Sequence, residues 1–378
     1  MGALRGLSEL HGTAVERWFA AQGPPPRLDL ARSGAAPVSI AEVLRHGDPS
    51  DLEALLNGTA DYGDGRGELR LRRAVADSDS ARSSDEVLVT HGAAEALLLA
   101  CAAAATSPGH AIVGGPAYGA LVAAPRAVGL RTHVVPVWDP EADQLVLSGL
   151  TDAVTSRTRV VLVNSPHNPS GAVAPRSDLE SLARRCEEVG AILVVDEVSV
   201  ATSSPSAPSG VHMAGFDRGA VVICGDVSKS MGLGGLRVGW LTTASPELLT
   251  RAAALKDVTS VANAVPTQLV AAVALEHRAA MVAPTARWAR ANLVTLLELT
   301  ARCRGLLIPP LDGLVALPRL PLGRSAVSFA ALVRRDAGVA VAPGSLFGCP
   351  DRLRFGLGCD PRDFARGADR IEAAVRAA

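Results

Sequence analysis

Hydrophobic and polar positions form two kinds of segment through the middle of the chain. Short runs rich in valine and isoleucine are separated by longer runs rich in alanine and leucine, with glycine, proline and serine in the gaps. Short β-branched runs are typical of buried strands, and the longer runs are typical of crossover helices. The pattern predicts strands at residues 87–90, 111–114, 132–137, 160–164, 192–196, 221–225 and 237–242. We therefore expect an α/β fold whose large domain has a mainly parallel sheet with helices on both faces.

The C-terminal third of the chain has a different pattern. Two long helical stretches are predicted at 267–280 and 285–303, and short strands follow near 314–318 and 352–356. Near the other end, the run Gly23-Pro24-Pro25-Pro26 is too stiff for a helix and predicts an extended arm. We expect an N-terminal arm at 1–40 that joins the small domain, a large domain at 41–265, and a C-terminal part at 266–378 that completes a smaller α+β domain.

Composition narrows the class of protein. The 378 residues suffice for two domains, and although 48% are hydrophobic, no run approaches the roughly 20 apolar residues of a membrane span. The first ten residues lack the apolar core of a secretory signal, which predicts a cytoplasmic protein. A net charge of −1 without a basic block argues against nucleic acid as a partner. The six cysteines lack the spacing of metal ligands, so we expect reduced core residues and no metal site.

Lysine is almost absent from the chain. Of the 37 lysine and arginine residues, only Lys229 and Lys256 are lysines. An amine can lose its proton and attack a carbonyl, whereas a guanidinium stays protonated, so Lys229 is the first candidate for a covalent role. Lys256 lies in an ordinary helix-like stretch, and it shows that a lysine can also be incidental. After Lys229 comes a glycine-rich turn that lets backbone approach a phosphate, and Arg237, eight positions on, can clamp that phosphate.

Further motifs follow the predicted strands. In a parallel sheet, ligands gather outside the carboxyl ends of the strands, so residues at these ends are expected to share one site. A helix N-terminus after strand 87–90 offers free amides and a partial positive charge to a phosphate. The motifs are His91-Gly92-Ala93-Ala94-Glu95, Gly115-Pro116-Ala117-Tyr118 and Asn164-Ser165-Pro166-His167-Asn168-Pro169-Ser170-Gly171.

Asp196 ends a strand that is otherwise apolar on both faces. An ionised carboxylate is costly in such a place unless a cation pairs with it. The sequence therefore predicts that Asp196 faces a charged ligand at the end of its strand.

Taken together and in this order, the motifs resemble the class I/II aminotransferase family of fold-type I pyridoxal-phosphate enzymes, from about residue 51 to the end. The resemblance implies that Lys229 holds pyridoxal 5′-phosphate as a Schiff base. It implies further cofactor contacts by Gly92, Ala93, Ala94, Ser228 and Arg237 at the phosphate, by Tyr118 and Asp196 at the ring, and by Asn168 at the phenolic oxygen. A core tyrosine and a plain turn remain alternative interpretations of Tyr118 and of the Asn168 loop.

The resemblance also concerns the partner and the substrate. Tyr62 stands where the family has a tyrosine that reaches the neighbouring subunit's phosphate, which implies a homodimer with shared active sites. Arg354 matches the arginine that binds the substrate α-carboxylate, although Arg352, two residues away on the same strand face, is the alternative. Gly34 could bring backbone close to that carboxylate, or it could be a simple turn glycine.

Two positions depart from the family pattern. Ser199 replaces the tyrosine that usually also contacts the phenolic oxygen, and Asp226 replaces a common phosphate-binding serine. A carboxylate beside a phosphate would be repulsive unless it turns away or meets Arg237.

The resemblance implies transamination between an amino acid and an oxo acid, in amino acid metabolism or biosynthesis. The stretch 27–34 and the motifs from Thr90 to Gly171 look like family members that eliminate a hydroxyl from a hydroxyarginine and close a ring, so elimination with cyclisation is the alternative. A regulatory role like that of certain transcription factors would need a DNA-binding domain, for which the stretch before residue 51 is too short.

Overall fold

A computed structural model describes residues 13–78, 83–142, 144–199, 219–307 and 313–377. The first ten residues, on which the cytoplasmic prediction rests, lie outside these ranges. The strands are β1 (Leu28–Asp29), β2 (Val87–Thr90), β3 (His110–Gly115), β4 (Arg131–Pro136), β5 (Trp138–Asp139), β6 (Gln144–Leu145), β7 (Thr158–Asn164), β8 (Ile192–Asp196), β9 (Val221–Asp226), β10 (Gly239–Thr242), β11 (Val315–Ala316), β12 (Val339–Ala340), β13 (Ala342–Pro343) and β14 (Leu353–Gly356).

Helices cover the large sheet and build most of the C-terminal third. They span Ala14–Ala21, Ile40–Leu44, Pro49–Asn57, Leu69–Ser78, Ala93–Ala104, Gly119–Ala127, Ser148–Ala153, Arg176–Val189, Pro246–Asp257, Val265–Glu276, Arg278–Arg302, Ala326–Ala337 and Pro361–Arg376.

Within the described residues, the central sheet has seven strands in the order β2-β10-β9-β8-β7-β3-β4. Neighbouring strands are parallel except that β10 runs antiparallel to both β2 and β9. The carboxyl ends of the six parallel strands therefore meet at one edge, and the start of β10 meets them there. The predicted α/β fold with a mainly parallel sheet is confirmed.

Both faces of the sheet are buried along its inner strands β7 and β8, as the apolar runs predict, whereas the edge strand β4 is largely exposed. In β7 and β8, Leu162 and Val194 pack into one apolar cluster, while Val161 and Leu193 pack into another on the opposite face. This alternation follows from the period of two along a strand. It explains why these strands read as continuous apolar runs rather than as alternating ones.

The first correction to the predicted elements is the strand placed at 237–242, which begins two residues later, at Gly239. The reason is that Arg237 ends a short 3₁₀ turn in the left-handed region, with φ 52°. Backbone in that region does not continue into an extended strand.

The second correction is the long helix predicted at 285–303, which begins at Arg278 and runs through Pro284. A proline lacks the N–H that would bond to the preceding turn, so the sequence favours a break there. Around the proline, Met281, Val282, Thr285 and Ala286 are buried, and this tertiary packing overrides the local signal.

A separate apolar core joins the N-terminal arm to the C-terminal third. Strand β1 pairs in parallel with β12, and Leu28 and Leu30 pack with Leu296, Phe329 and Phe355. The arm thus contributes to the smaller α+β part of the fold, as predicted. The domain boundaries at residues 40/41 and 265/266 stay predictions. The helix Ala14–Ala21, which precedes the proline run, was not predicted.

No helix in the described part of the chain is both long enough and apolar enough to cross a membrane. All six cysteines lie in described segments as free thiols, four of them buried and Cys349 and Cys359 half-buried.

Candidate active site

A cavity of about 660 Å³ lies at the edge where the parallel strands end. Most of the residues predicted from sequence line it, although they come from loops far apart in the chain. They are Gly34, Ala93, Ala94, Tyr118, Asn168, Asp196, Ser199, Ser228, Lys229, Arg237 and Arg354.

Lys229 lies just after β9 with its side chain in this cavity. Burial lowers the pKa of its amine, and the nearby Asp226 carboxylate partly opposes that shift. A lower pKa increases the fraction of unprotonated, nucleophilic amine. Gly34 packs closely against Lys229, since a Cβ on Gly34 would lie 3.3 Å from the Lys229 Cα and carbonyl oxygen. A side chain there would press on the lysine.

The turn before the helix Ala93–Ala104 forms a concavity at the cavity wall. Gly92 precedes the helix with φ 78°, and no side chain caps the first turn. The Gly92 N–H donates to the Thr90 carbonyl over 2.9 Å, so of the three predicted phosphate ligands the Ala93 and Ala94 amides are the ones that remain available. Free amides at a helix N-terminus suit a phosphate.

Arg237 lies directly against this concavity. Its two terminal nitrogens donate to the Gly234 carbonyl over 3.0 Å and to the His91 carbonyl over 3.2 Å. A Cβ on Gly92 would lie 2.3 Å from the Arg237 Nη2 atom, so the glycine makes room for the guanidinium. The arginine is thereby positioned beside the helix N-terminus, as a phosphate clamp requires.

Asp226 neither turns away from the cavity nor meets Arg237. Its carboxylate lines the cavity and accepts two hydrogen bonds from Ser228, one from the backbone N–H at 2.8 Å and one from the hydroxyl at 2.6 Å. The Ser228 hydroxyl proton is therefore engaged by Asp226 rather than free for a phosphate. The two hydrogen bonds stabilise the carboxylate where it is, and its negative charge stays in the cavity.

Asp196 is buried at the end of β8. Burial, with a smaller contribution from the neighbouring Asp226 carboxylate, raises the pKa of its carboxyl to about 7. Its Oδ1 accepts a hydrogen bond from the Val198 N–H over 3.2 Å, while its backbone carbonyl receives the side-chain amide of Asn164 at 2.9 Å. The ionised form of such a buried carboxyl is stabilised by hydrogen-bond donors, as Val198 is here, and above all by a nearby cation.

Asn164 also positions Asn168. The Asn164 side-chain oxygen accepts the Asn168 backbone N–H over 2.6 Å, and the Asn168 side-chain oxygen accepts from Arg354 Nη1 over 3.0 Å. Asn164 therefore links the end of β8 to the loop that carries Asn168. The motif contained Asn164, but no sequence signal separated its positioning role from that of a turn residue.

The structure distinguishes the two candidate arginines by location. Arg354 lines the cavity, donates to the Ala31 carbonyl over 2.6 Å, and lies 4.8 Å from the Phe347 ring centre. Arg352 instead donates to the Leu317 carbonyl over 3.1 Å and packs over Trp138, outside the residues that line the cavity. Burial lowers the pKa of Arg354 to about 10, so the buried cation favours an anionic ligand.

Tyr118 meets a residue that the sequence did not suggest. Its hydroxyl donates to the Glu16 carboxylate on the helix Ala14–Ala21, and Glu16 lines the cavity. Burial, reinforced by Glu16, raises the pKa of the Tyr118 phenol. The two residues are 102 positions apart, so no local pattern could have joined them.

Tyr62 lies outside the cavity of its own chain. Its side chain is 86% exposed, and its backbone N–H donates to the Asp61 side chain over 2.7 Å. An exposed tyrosine on an ordered loop is available to a partner molecule.

The residues present fit pyridoxal phosphate. Free amides at Ala93 and Ala94 with Arg237 suit its phosphate, the buried Asp196 suits a protonated ring nitrogen, and the Lys229 amine suits its aldehyde. When bound, the cofactor supplies an electron sink for charge that develops at the substrate's Cα.

Residues 36–371 match the model of the family described as aminotransferase class I and II. The chain belongs to this family. Aminotransferases depend on pyridoxal phosphate and act on amino and oxo acids, so the sequence-based expectations of family, cofactor and substrate type are confirmed.

Three relatives of this aminotransferase-family chain bear on its reaction. Capreomycidine synthase of Streptomyces vinaceus is 32% identical over 97% of the chain and 94% of that protein. The arginine–pyruvate transaminase of Pseudomonas aeruginosa is 34% identical over 50% of each. The solved structure of the PLP-dependent cyclase OrfR has a TM-score of 0.84 and 30% identity, and it covers 97% of both chains.

Proposed function

We propose that this enzyme transaminates an α-amino acid whose side chain carries a positive charge, a guanidinium being the best match. The observation that carries the proposal is the pair of carboxylates, Glu16 and Asp226, that line the same cavity as Arg354. An amino acid with an anionic and a cationic end complements that charge pattern. Guanidinium groups bind carboxylates through paired hydrogen bonds. The name of the arginine–pyruvate transaminase relative supports the same substrate class.

The proposed roles follow the geometry. Lys229 binds the cofactor covalently and, once displaced by the amino acid, accepts the proton of the substrate's Cα. Arg354 orients the α-carboxylate, with the Gly34 backbone beside it. The phosphate is assigned to Ala93, Ala94 and Arg237 with the Gly92 turn, the ring to Tyr118 and Asp196, and the phenolic oxygen to Asn168 with Ser199 nearby. Ser228 lines the same cavity and holds the Asp226 carboxylate.

A second candidate is elimination followed by cyclisation on a hydroxylated arginine. It is favoured by whole-chain matches to capreomycidine synthase and to the PLP-dependent cyclase OrfR, whereas the transaminase of arginine matches only half of the chain. Both candidates use the same contacts to the substrate's two ends. They differ in whether the amino group leaves the substrate.

We also propose a homodimer with shared active sites and a cytoplasmic location. The exposed Tyr62 supports the dimer, since a tyrosine that serves its own site would not be directed away from it. Six free thiols, including two half-buried ones, are typical of a reducing compartment.

The decisive experiment compares turnover with and without an oxo acid. The cofactor-loaded enzyme is mixed with arginine alone, and the released oxo acid is counted. Transamination predicts one product per active site, because the amino group stays with the enzyme until an acceptor such as pyruvate is added. Many turnovers on β-hydroxyarginine without an acceptor, together with no reaction on any unsubstituted amino acid, would replace transamination by the cyclase reaction.

A further inference from the structure

Lys256, the second lysine of the chain, is completely buried at the end of the helix Pro246–Asp257. Its ammonium donates a hydrogen bond to the Gly65 carbonyl over 2.6 Å. Burial lowers the pKa of its amine, while the carboxylates of Glu95, Asp64 and Asp257 oppose that shift. Burying an ammonium costs free energy unless a hydrogen-bond acceptor or an anion lies beside it. Here the partner is the loop that carries Tyr62.

That loop, residues 61–67, is fixed at several other points. Arg72 donates from Nε to the Gly67 carbonyl over 2.9 Å, and the Val89 N–H donates to the Arg66 carbonyl over 2.9 Å. Gly67 itself packs against the Val89 side chain with φ 101°. Tyr62 is the exposed aromatic residue of this anchored segment. The loop therefore presents one aromatic side chain outward from a rigid base.

The backbone of Lys256 anchors a neighbouring turn as well. Its carbonyl accepts the N–H groups of Thr259, Ser260 and Val261, each over 3.0 Å. Val261 is held at φ 61°, a conformation that β-branched residues avoid and that persists only where surrounding contacts impose it. Lys256 thus holds the Tyr62 loop with its side-chain ammonium and the turn at 259–261 with its backbone carbonyl.

We propose that Lys256 is a positioning residue that holds the 61–67 loop so that Tyr62 is presented to the cofactor phosphate of the partner subunit. This inference rests on the homodimer proposed above. Without the ammonium, the Gly65 carbonyl loses its buried donor and the loop loses one of its anchors. The phenol would then sample many orientations, and fewer of them reach the phosphate.

The test measures cofactor binding rather than turnover. Lys256→Met keeps a long unbranched side chain, one atom shorter, but removes the donor. It should weaken pyridoxal phosphate binding about tenfold, the loss expected for one hydrogen bond to a charged group, and leave binding of pyridoxal, which lacks the phosphate, within about twofold. Tyr62→Phe should give the same selective loss, and the double variant should lose no more than either single one.

The controls isolate the loop. Arg251→Met removes a cation from the exposed face of the same helix, where it pairs with Glu247, and should change neither dissociation constant. Lys256→Gln, which retains an N–H donor, should restore most of the phosphate selectivity. Hydrogen exchange at residues 61–67 should quicken in cofactor-free Lys256→Met and stay slow in Tyr62→Phe.

Three results overturn the inference. Equal losses for pyridoxal phosphate and pyridoxal, or additive losses in the double variant, would mean that Lys256 acts on stability alone. If Lys256→Met does not fold, Lys256→Gln takes its place. A folded Lys256→Gln that prefers pyridoxal phosphate over pyridoxal no more than Tyr62→Phe does would also mean that Lys256 acts on stability alone. A monomeric wild-type protein by analytical ultracentrifugation would remove the homodimer, and the inference with it.

Discussion

The Arg354 guanidinium donates a hydrogen bond to the Asn168 side-chain oxygen over 3.0 Å. This bond joins β14 of the smaller part of the fold to the loop after β7 of the large sheet. Because the amide oxygen of Asn168 is engaged, its NH₂ group is the end left for a ligand oxygen. The proposed contacts to the substrate's carboxylate and to the cofactor's phenolic oxygen are therefore oriented by each other.

Truncation of Arg354 should abolish recognition of the α-carboxylate. Arg354→Ala leaves a buried anion unpaired, at a cost on the order of 3–5 kcal/mol, so α-amino acid binding should weaken about a hundredfold or more. Cofactor binding should survive. Titration of an amino acid into the loaded enzyme measures this, with Arg352→Ala as the matched control. A loss in Arg352→Ala and none in Arg354→Ala would reverse the assignment.

Removal of the Lys229 amine should abolish covalent capture of the cofactor. Lys229→Ala keeps the Ala93 and Ala94 amides, Arg237 and Asp196, so we expect a folded protein that still binds cofactor reversibly. Loss of general acid–base help alone slows turnover roughly 10²- to 10⁴-fold. Borohydride reduction followed by peptide mapping should mark Lys229 in the wild type. Marking of Lys256 instead would refute the assignment.

Asp196 should give the cofactor-free protein a measurable pH dependence of stability. Its carboxyl has a pKa of about 7 in the folded state and about 3.9 when unfolded. The stability from this raised pKa is fully present below about pH 4 and is lost as the pH rises through 7, by on the order of 4 kcal/mol.

A second buried group, His167, makes the stability vary with pH in the opposite direction and so masks the contribution of Asp196. Burial lowers the pKa of the His167 ring to about 4, so its contribution runs the other way and is lost as the pH falls from about 6.5 toward 4. The informative quantity is the difference in unfolding free energy between Asp196→Asn and wild type. As the pH rises from 4 to 7, the unfolding free energy of Asp196→Asn should increase relative to that of the wild type. A difference that does not change with pH would contradict the raised pKa of Asp196.

Neutralising Glu16 should change substrate choice. Glu16→Gln can still accept the Tyr118 hydroxyl but no longer offers a charge to a guanidinium. We expect kcat/KM for arginine to fall about tenfold, the value of one hydrogen bond to a charged group at an exposed position, with alanine as the control substrate nearly unaffected. Parallel losses on both amino acids would mean that Glu16 acts through Tyr118 instead.

The strands of the large sheet were predictable because their signal is local. The apolar runs of β7, β8 and β9 lie within two residues of their predicted bounds. Asp196 ends β8, and Asn168 and Lys229 lie in the loops that follow β7 and β9. Once the order of parallel strands is set, one sheet edge collects these residues without further information. Asn168, Asp196 and Lys229 line the same cavity, as expected for residues at one edge of the sheet.

What sequence reasoning missed depends on long-range contacts and on side-chain conformation. The helix Ala14–Ala21 is short and buries only Val15, so its placement depends on contacts such as that of Glu16 with Tyr118. The pairing of Asp226 with Ser228 is local, but it required a choice among rotamers that a sequence does not encode. The left-handed Arg237 is similar, since its conformation follows from the turn around it.

The burial of Lys256 leaves the protein with a single reactive side-chain amine. Lys256 is enclosed, whereas Lys229 opens into the cavity with a lowered pKa. In the folded protein, a small acylating ester can therefore modify one lysine, and cofactor bound through that amine blocks the reaction. The acylated fraction of the peptide that contains Lys229, measured apart from the chain's α-amine, becomes a direct count of the sites that hold no cofactor.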